Sequence, residues 1–280
     1  MLLGFSLPHL IGASPKFAIT VATLAALWGW ETWRPFFARD SGRLRHAGRN
    51  LTVAAVNAVV LAVVFGAVFN ATAEWADGRG LGLLRVLNLG EGARLVASLI
   101  LLDGWTYLWH RANHAVPLLW RFHRMHHSDP RMDVTTATQF HLGEHVGSAA
   151  LRVALIPLAG FGVWHLVCYD TAVIVVTMLH HANVSLGQFD RRLRWLIVTP
   201  DMHKVHHSTW RPETDSNFAT VLSVWDRVAG TFQLRPNVKT LEFGLPDFAH
   251  PKWQTVWGMF CTPVVSRLPE PAERPNDASR

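Results

Sequence analysis

Cysteine, tyrosine and charged side chains are all scarce in this 280-residue chain. Its two cysteines, Cys168 and Cys261, are far apart in sequence and predict neither a disulfide framework nor a cysteine-based metal site. Charged residues make up 16%, well below the roughly 25% of ordinary soluble domains. The formal net charge of +6 raises the question of nucleic acid, but the basic residues form short clusters between apolar runs. We therefore expect no nucleic-acid partner.

Hydrophobic residues are abundant, at 50% of the chain, and 13 tryptophans stand against 2 tyrosines. Tryptophan rings favour the interface of a lipid bilayer. Several apolar stretches have about the 17–25 residues that a membrane-spanning helix needs. These predicted spans cover residues 17–33, 51–70, 93–109, 146–160 and 162–180. The composition thus predicts an all-α fold, an integral membrane helical bundle, in which the first stretch is a retained span.

The last two stretches are short and almost contiguous, separated by the turn Gly160-Phe161-Gly162. They could form a hairpin that does not cross completely, so four full spans stay an alternative to five. Arg152 lies inside the fourth stretch, and we expect it to face the protein interior, because exposure to lipid would cost about 3 kcal/mol.

Charge in the loops predicts the orientation of the spans. The first loop contains several arginines and a single acid, Asp40, whereas the second loop contains more acids than bases. By the positive-inside rule the first loop is cytoplasmic. Alternation then places residues 110–145 and everything after about 181 on the cytoplasmic side, as a helical cap. The arginines of the first loop are Arg34, Arg39, Arg43, Arg45 and Arg49.

We expect one structural domain with three regions. Residues 1–92 form N-terminal membrane spans, residues 93–235 form a catalytic region that includes further spans, and residues 236–280 form a cytoplasmic C-terminal segment. The last stretch, from Leu268 to Arg280, is rich in proline and charge and predicts a disordered tail.

Three histidine motifs carry the functional argument. An HxxxH motif follows the third predicted span, an HxxHH motif comes soon after it, and a second HxxHH motif lies some eighty residues later. On a helix, residues at i, i+3 and i+4 share one face, so each motif is expected to project its imidazoles in one direction. Neutral imidazole is available as a metal ligand at pH 7. These histidines are His110, His114, His123, His126, His127, His203, His206 and His207.

Eight converging imidazoles predict a centre for two metal ions, although ligand type alone does not choose between iron, zinc, copper and nickel. The lack of nearby cysteine argues against structural zinc. A carboxylate-bridged centre would need Glu-x-x-His pairs. None occurs, because Glu144 is followed directly by His145.

The order of these motifs resembles the fatty acid hydroxylase and sterol desaturase superfamily. The similarity runs from about Leu102 to Phe232 and includes flanking segments: His181-Ala-Asn183, Thr199-Pro200-Asp201-Met202-His203, Trp225-Asp226-Arg227 and Gly230-Thr231-Phe232. The resemblance implies a non-haem centre of two iron ions, molecular oxygen, and hydroxylation or desaturation of a lipid. It also implies that the eight histidines are metal ligands and that His181 is a further one, while His180 is left out.

Four polar residues are expected to support the ligands from behind, namely Asp103, Asp129, Asn183 and Asp201. Asp103 lies within a predicted span, where a carboxylate is expensive and tends to be functional. We expect it to act on a histidine of another motif, through Tyr107 or water, or to pair with Arg152.

Other histidines are expected to play lesser roles. The sequence departs from the Arg-x-His-Pro of many family members at Gln139-Phe-His141-Leu142, so His141 and His145 are taken as supporting or structural. The histidines without a partner in sequence are taken as ordinary: His9, His46, His165 and His250.

These inferences predict a multi-pass membrane oxygenase that takes an apolar lipid substrate from the bilayer, with its site facing the cytoplasm. Because no flavin, nicotinamide, haem or iron–sulfur motif occurs, electrons must come from a separate donor, of the cytochrome b5 or ferredoxin type by resemblance. A basic surface of this chain could bind the donor. The alternatives are a histidine-lined metal transporter and an inactive metal-binding scaffold. The candidate docking residues are Arg191, Arg192, Arg194 and Lys204.

Overall fold

Every apolar stretch predicted above is helical. The computed structural model describes residues 15–38 and 41–265. Its α-helices are α1 (Pro15–Trp33), α2 (Arg43–Gly78), α3 (Leu83–Val86), α4 (Glu91–Ala115), α5 (Pro117–His127), α6 (Leu142–Ala159), α7 (Val163–His181), α8 (Asp190–Leu193), α9 (Pro200–His206), α10 (Arg211–Thr214), α11 (Val224–Val228) and α12 (Val256–Phe260).

Short 3-10 helices connect these elements, at Val134–Thr138, Gly187–Phe189, Val238–Thr240, Pro246–Phe248, Pro251–Gln254 and Thr262–Val264. Over residues 15–38 and 41–265 there is no named strand, only the isolated bridges Ile197–Leu222 and Ser208–Phe243. The all-α prediction is confirmed.

Local sequence explains where the site-bearing helices begin and end. Pro117 opens α5 and Pro200 opens α9, at the first helical position where the missing N–H costs nothing. Gly160 ends α6 with φ of 84°, a left-handed conformation that favours glycine. The Cα of Gly160 also lies so close to Gly82 that a side chain at Gly82 would collide with it. The predicted turn between α6 and α7 is therefore a tight, glycine-dependent reversal.

Among the described helices, two are long and apolar enough to cross a membrane. They lie in Arg43–Val86, which contains α2 and α3, and in Val163–His181, which is α7. Only 11% of the most apolar window of the first is buried. Several large side chains on α2 point outward, including Val63 at 70% exposed. The other predicted spans are helical but do not meet the same criteria of length and hydropathy.

The first helix packs against the region of the histidine motifs through a buried glutamate. Glu31 is 1% exposed and pairs with Arg43 at 2.6 Å. Its other oxygen accepts backbone N–H groups from Val134 at 3.1 Å and Asn183 at 2.9 Å. One side chain of α1 therefore fixes two loops that adjoin the histidine motifs.

His46 of α2 is not an ordinary histidine, contrary to the expectation from its isolation in sequence. It is buried, and its two ring nitrogens lie 2.7 Å from Asp129 and 2.9 Å from Asp133. Asn50 donates to Thr135 in the same loop. This contact ties α2 to the segment directly after the second motif.

The C-terminal segment covers the other side of α5. Arg124 donates to the carbonyl oxygens of Thr262 and Val265, and Gln254 donates to that of Ser128. The predicted disordered tail, Leu268–Arg280, lies outside the described residues.

Arg152 pairs with Asp170 of α7 at 2.6 Å and not with Asp103, so the proposed Asp103–Arg152 pair is wrong. The reason is that Asp170, one helix away, already faces Arg152 and also accepts a hydrogen bond from Lys16.

Candidate metal centre

The structure gathers all nine predicted ligand histidines into two groups, in which every histidine except the half-buried His110 is buried. In each group, every ring offers one nitrogen atom as a possible ligand, and these nitrogen atoms all lie within 4.8 Å of one another. The first group is His110, His114, His123, His127 and His206, and the second is His126, His181, His203 and His207. His180 belongs to neither group and instead stacks on His203, with ring centroids 3.9 Å apart.

Each HxxHH motif contributes to both groups. His123 and His127, four residues apart, join the first group, whereas His126 between them joins the second. In the later motif the pair His203 and His207 joins the second group and His206 the first. Consecutive residues on a helix are about 100° apart, so neighbouring rings diverge. The expectation that each motif projects in one direction is therefore wrong for the two HxxHH motifs, and the two groups are interleaved. It is confirmed for the HxxxH motif, because His110 and His114 both join the first group.

Acceptors behind the rings fix the proton on Nδ1 for much of the first group. His123 Nδ1 donates to Glu144 at 3.0 Å, and His114 Nδ1 donates to Asp215 at 3.1 Å. Backbone carbonyl oxygens do the same for His110, His206 and, in the second group, His181. Because carboxylates and carbonyls only accept, each of these rings keeps its lone pair on Nε2.

The Nε2 atoms face one another at close range. His123 Nε2 lies 3.1 Å from His110 Nε2 and 3.2 Å from His127 Nε2. In the second group, His181 Nε2 lies 3.1 Å from His126 Nε2 and 3.0 Å from His203 Nε2. Where both rings hold their proton on Nδ1, as in His110 and His123, the two lone pairs repel unless a cation lies between them.

Ligands about 2.1 Å from one metal ion and at right angles are about 3.0 Å apart. The residues present thus fit a metal ion in each group.

Burial keeps the imidazoles neutral. It lowers the pKa of His206 to about 3, and it holds the pKa values of His126, His127, His203 and His207 well below the ordinary value. The other histidines of the cluster add to the effect, because neighbouring imidazolium charges would repel. Neutral rings are the form that binds a metal ion.

A cavity of about 360 Å³ adjoins both groups. Its wall includes His123 from the first group and His126 and His203 from the second. The rest is mainly apolar and comes from α2, α4, α6 and α7, including Leu61 and Val173. Both candidate spans therefore line the space in front of the histidines.

The predicted supporting residue Asp103 lies away from the histidines. Its carboxylate accepts hydrogen bonds from the backbone N–H groups of Val221 and Leu222, from Trp225 Nε1 and from the Tyr169 hydroxyl. It therefore joins α4, α7 and the loop before α11, with no hydrogen bond to a motif histidine among the described residues.

Of the other three predicted supporting residues, Asp129 and Asn183 bind elsewhere. Asp129 holds His46, and Asn183 exchanges hydrogen bonds with the backbone of Phe37. Asp201 lies in the first turn of α9, and burial, with Asp190 nearby, raises the pKa of its carboxyl.

Sequence reasoning missed the two carboxylates that do hold histidines, Glu144 and Asp215. Glu144 is not part of a Glu-x-x-His motif, and Asp215 belongs to no motif. Neither has a fixed spacing to its histidine, being 21 residues from His123 and 101 from His114. Only the tertiary fold brings them together.

The predicted basic docking surface is smaller than expected. Lys204 is fully buried and donates to the carbonyl oxygen of Val184. Arg194 pairs with Asp190, whereas Arg191 and Arg192 are exposed.

His141 and His145 are not in either histidine group: His141 Nε2 donates to the carbonyl oxygen of Phe260, and His145 lines the cavity.

Fold and site together define a helical protein with two adjacent all-histidine metal-site candidates beside an apolar cavity. Comparison with known proteins agrees. Residues 95–231 match the family model of the fatty acid hydroxylases, which supports the fatty acid hydroxylase and sterol desaturase superfamily. The resemblance drawn from the histidine motifs is confirmed.

Similar curated proteins act on lipids according to their names. The chain is 29% identical to an ornithine lipid hydroxylase of Rhizobium tropici over 54% of this chain and 45% of that protein. It is 31% identical to an alkylglycerol monooxygenase of Xenopus tropicalis over 50% of this chain and 30% of that protein. A fatty acid hydroxylase of a Lecanicillium species is 29% identical over 47% and 40%. The matched region thus spans less than half of each relative's length. No solved structure matches the chain.

Proposed function

We propose that the protein is a membrane-bound non-haem di-iron oxygenase that hydroxylates or desaturates a lipid. The observation that carries this proposal is the arrangement of nine imidazoles, eight of them buried, in two interleaved groups that open on one apolar cavity. The names of the relatives, hydroxylases and a monooxygenase, favour hydroxylation over desaturation.

The nine histidines would hold two iron ions, five rings around one and four around the other. Bound iron would supply the redox chemistry that lets molecular oxygen attack an unactivated C–H bond. Neutral imidazole suits several metals, and iron is chosen because the family's reactions need a redox-active ion.

The chain's own residues prepare and enclose the site. Glu144 and Asp215 hold the protons of His123 and His114 on Nδ1, which keeps Nε2 directed at the metal position. Burial keeps water away from the reacting carbon. The apolar wall from α2 and α7 would orient a lipid chain across the histidines.

The reaction needs electrons from outside. Hydroxylation converts a C–H bond and one oxygen molecule into an alcohol and one water, consuming two electrons and two protons. Desaturation consumes the same two electrons and releases two waters. We propose a separate cytochrome b5 or ferredoxin type donor, for which Arg191 and Arg192 would offer exposed positive charge.

We place the protein in a membrane as a multi-pass chain with its metal centre on the cytoplasmic side. The outward apolar face of α2 supports this, since soluble proteins rarely expose such a large apolar surface. A substrate could then enter the cavity from the bilayer between the two candidate spans.

Oxygen uptake by the purified, reconstituted and chemically reduced protein tests the function. We expect uptake that depends on iron and on added lipid, with mass spectrometry showing lipid that has gained one oxygen atom or lost two hydrogens. Metal uptake into vesicles without oxygen consumption would instead indicate a transporter. Tight metal binding without either activity would indicate a scaffold.

A further inference from the structure

One predicted ligand histidine is connected to the protein surface through a carboxylate. His114 Nδ1 donates to Asp215 at 3.1 Å, and 37% of the Asp215 side chain is exposed. The other acceptors behind the rings of the first group are buried. Glu144 is 8% exposed, and the remaining two are the carbonyl oxygens of Phe218 and Ser216, which are buried residues. Of these four acceptors, Asp215 alone reaches the surface.

A tryptophan forms a second connection beside the first. The Trp120 ring is 3% exposed and lies against the rings of His114 and His127, with centroids 5.0 and 5.4 Å away. The guanidinium carbon of Arg211 lies 5.1 Å from the centroid of the Trp120 ring. The Arg211 side chain is 39% exposed and also pairs with Asp215. Electron transfer weakens steeply with distance, so an aromatic ring between the surface and two ligand rings favours electron entry at this point.

The surface next to these connections exposes apolar side chains. Val116 and Leu118, directly after the end of α4, are 43% and 63% exposed. Arg111 lies three residues before His114, and Arg121 lies three residues after Leu118. Residues at this spacing are neighbours on a helix. We call the region the junction surface, and it comprises Arg111, Val116, Leu118, Arg121, Arg211 and Asp215.

The charged residues of the junction surface are mainly basic. Arg111 of α4 and Arg121 of α5 make no hydrogen bond or ion pair within the described part of the chain. The single acid of this surface, Asp215, pairs with Arg211. Asp247 of the C-terminal segment offsets the charge of a buried arginine of α5. The junction surface therefore carries a net positive charge.

The arginines of α8 that were considered above lie at a different level of the molecule. Helix α8 is bonded to α11, because Arg227 donates to the carbonyl oxygen of Arg194. Trp225 of α11 in turn donates to Asp103 of α4. Asp103 precedes His114 by eleven residues, about 16 Å along the helix axis. Helix α8 is thus attached to the middle of α4, whereas the junction surface lies at the proposed cytoplasmic end of α4.

These features together indicate where electrons can enter. Resting on the proposed oxygenase function, we infer that the electron donor docks on the junction surface and is a one-electron carrier with an acidic contact face. Protein interfaces combine apolar contact with a polar rim, and opposite charges steer the encounter. In each turnover two reduced donor molecules would each lose one electron, which supplies the two electrons of the balance given above, and the two protons come from solvent. The exposed arginines of α8 are the competing position.

Donor binding tests the site without relying on turnover. The probes are the soluble domain of a cytochrome b5 and a plant-type ferredoxin, both acidic one-electron carriers. Each is labelled with a fluorophore and titrated with the iron-loaded protein in detergent. Arg111→Glu combined with Arg121→Glu reverses two charges on the junction surface. We expect the affinity for the donor to fall by about tenfold or more, through slower association, and the difference to shrink at high salt.

The matched control reverses the same number of charges on α8. Arg191→Glu combined with Arg192→Glu changes the net charge equally at two exposed positions. We expect the affinity to stay within about twofold, because salt screens charges that lie outside the interface. Equal losses from both pairs, a loss confined to the α8 pair, or no loss from either pair would overturn the inference. If the junction variant does not fold, Leu118→Asp, at an exposed position, makes the same comparison.

A second measurement follows the electron after binding. Reduced probe is mixed without oxygen with the oxidised iron-loaded protein, and the limiting rate of probe oxidation is recorded by stopped flow. Trp120→Leu should lower this rate several fold at unchanged donor affinity. Trp253→Leu is the matched control, since Trp253 packs in the same apolar cluster and its ring contacts Phe248 but no motif histidine within the described residues. A limiting rate that Trp120→Leu leaves unchanged would contradict electron entry at this surface.

Failure of the docking site differs from failure of the proposed function. Oxygen uptake driven by a small chemical reductant needs no donor protein. If the unaltered protein shows no such uptake, the proposed function is wrong, whereas the binding comparison still decides where a donor docks. If uptake occurs but neither probe binds at low salt, the inference about the donor is wrong and the proposed function stands.

Discussion

At the scale of single residues, Glu144 and Asp215 determine which nitrogen of their histidines carries the proton. Glu144 also accepts from Asn113, so its carboxylate connects a histidine of the first group to the wall of the cavity. A carboxylate behind a ligand histidine both orients the ring and increases its basicity. The glutamate would thus influence metal binding without touching the metal.

Replacing Glu144 by glutamine keeps the size and one acceptor oxygen but removes the charge. We expect Glu144→Gln to weaken metal retention by about 10–100-fold, the usual effect of losing such a partner. Metal content after dialysis against a graded series of chelator concentrations measures this. Glu74→Gln, at an exposed position on α2, serves as the control. An unchanged retention in Glu144→Gln would show that the hydrogen bond does not support metal binding.

The interleaving of the two groups gives a second prediction at this scale. His126 belongs to the second group and His206 to the first, although each is flanked by a histidine of the other group. We expect His126→Ala and His206→Ala each to lose about one of two metal ions and nearly all oxygenase activity. The double variant should lose both ions. Elemental analysis of each purified protein provides the measurement, with His250→Ala as an exposed control. Full metal content in both single variants would contradict the proposed ligand set.

At the scale of helices, the Asp103 carboxylate connects α4 by hydrogen bonds to α7 and to the loop before α11. In Asp103→Asn an NH2 group replaces one carboxylate oxygen, and an NH2 group cannot accept a hydrogen bond. At least one of the groups that donate to the Asp103 carboxylate would therefore lose its partner. We expect the free energy of unfolding to fall by about 1–3 kcal/mol. Metal content per folded molecule should stay unchanged. Denaturant unfolding with parallel metal analysis measures both quantities.

The control for Asp103→Asn is Asp77→Asn, which breaks an ion pair with Arg85 in which the aspartate is 64% exposed. Exposed pairs contribute only about 0–1 kcal/mol. Should Asp103→Asn unfold like the unaltered protein but lose metal, the supporting role first expected for Asp103 would be restored.

Helices and motifs were predictable from the sequence because they depend on local pattern. The apolar stretches predicted the five long helices, and the HxxxH and HxxHH motifs predicted histidines that the structure brings together in the two groups. Contacts between distant segments were not predictable, as Asp103 illustrates: a buried carboxylate implies a partner but does not name it. His46 shows the same limit, since its partners Asp129 and Asp133 lie more than 80 residues away. The divergence of neighbouring histidines was within reach, because it follows from the 100° step of the helix.

At the scale of the whole molecule, the length of α2 bears on the proposed topology. Its 36 residues correspond to about 54 Å, which exceeds the roughly 30 Å core of a bilayer. In a background with Cys168→Ser and Cys261→Ser, we expect a cysteine at Gly78 to react with an impermeant reagent from the outside only. A cysteine at Pro130, in the exposed loop after α5, should react from the cytoplasmic side only. Reaction of both cysteines from one side would exclude the proposed crossing by α2.

Helices α1 and α2 lie outside the segment that matches the family model, yet they contact its loops. The matched segment is therefore smaller than the part of the chain that folds together. The family match begins at residue 95, yet Glu31 and His46 hold the loops that flank the histidine motifs. Without His46, the buried Asp129 and Asp133 would lose the ring that lies between them, and Arg49 of α2, 3.7 Å from Asp129, would remain to offset their charge. A chimera that takes residues 95–231 from a relative would therefore lose the contacts that its loops make with α1 and α2, unless it takes those two helices from the same relative.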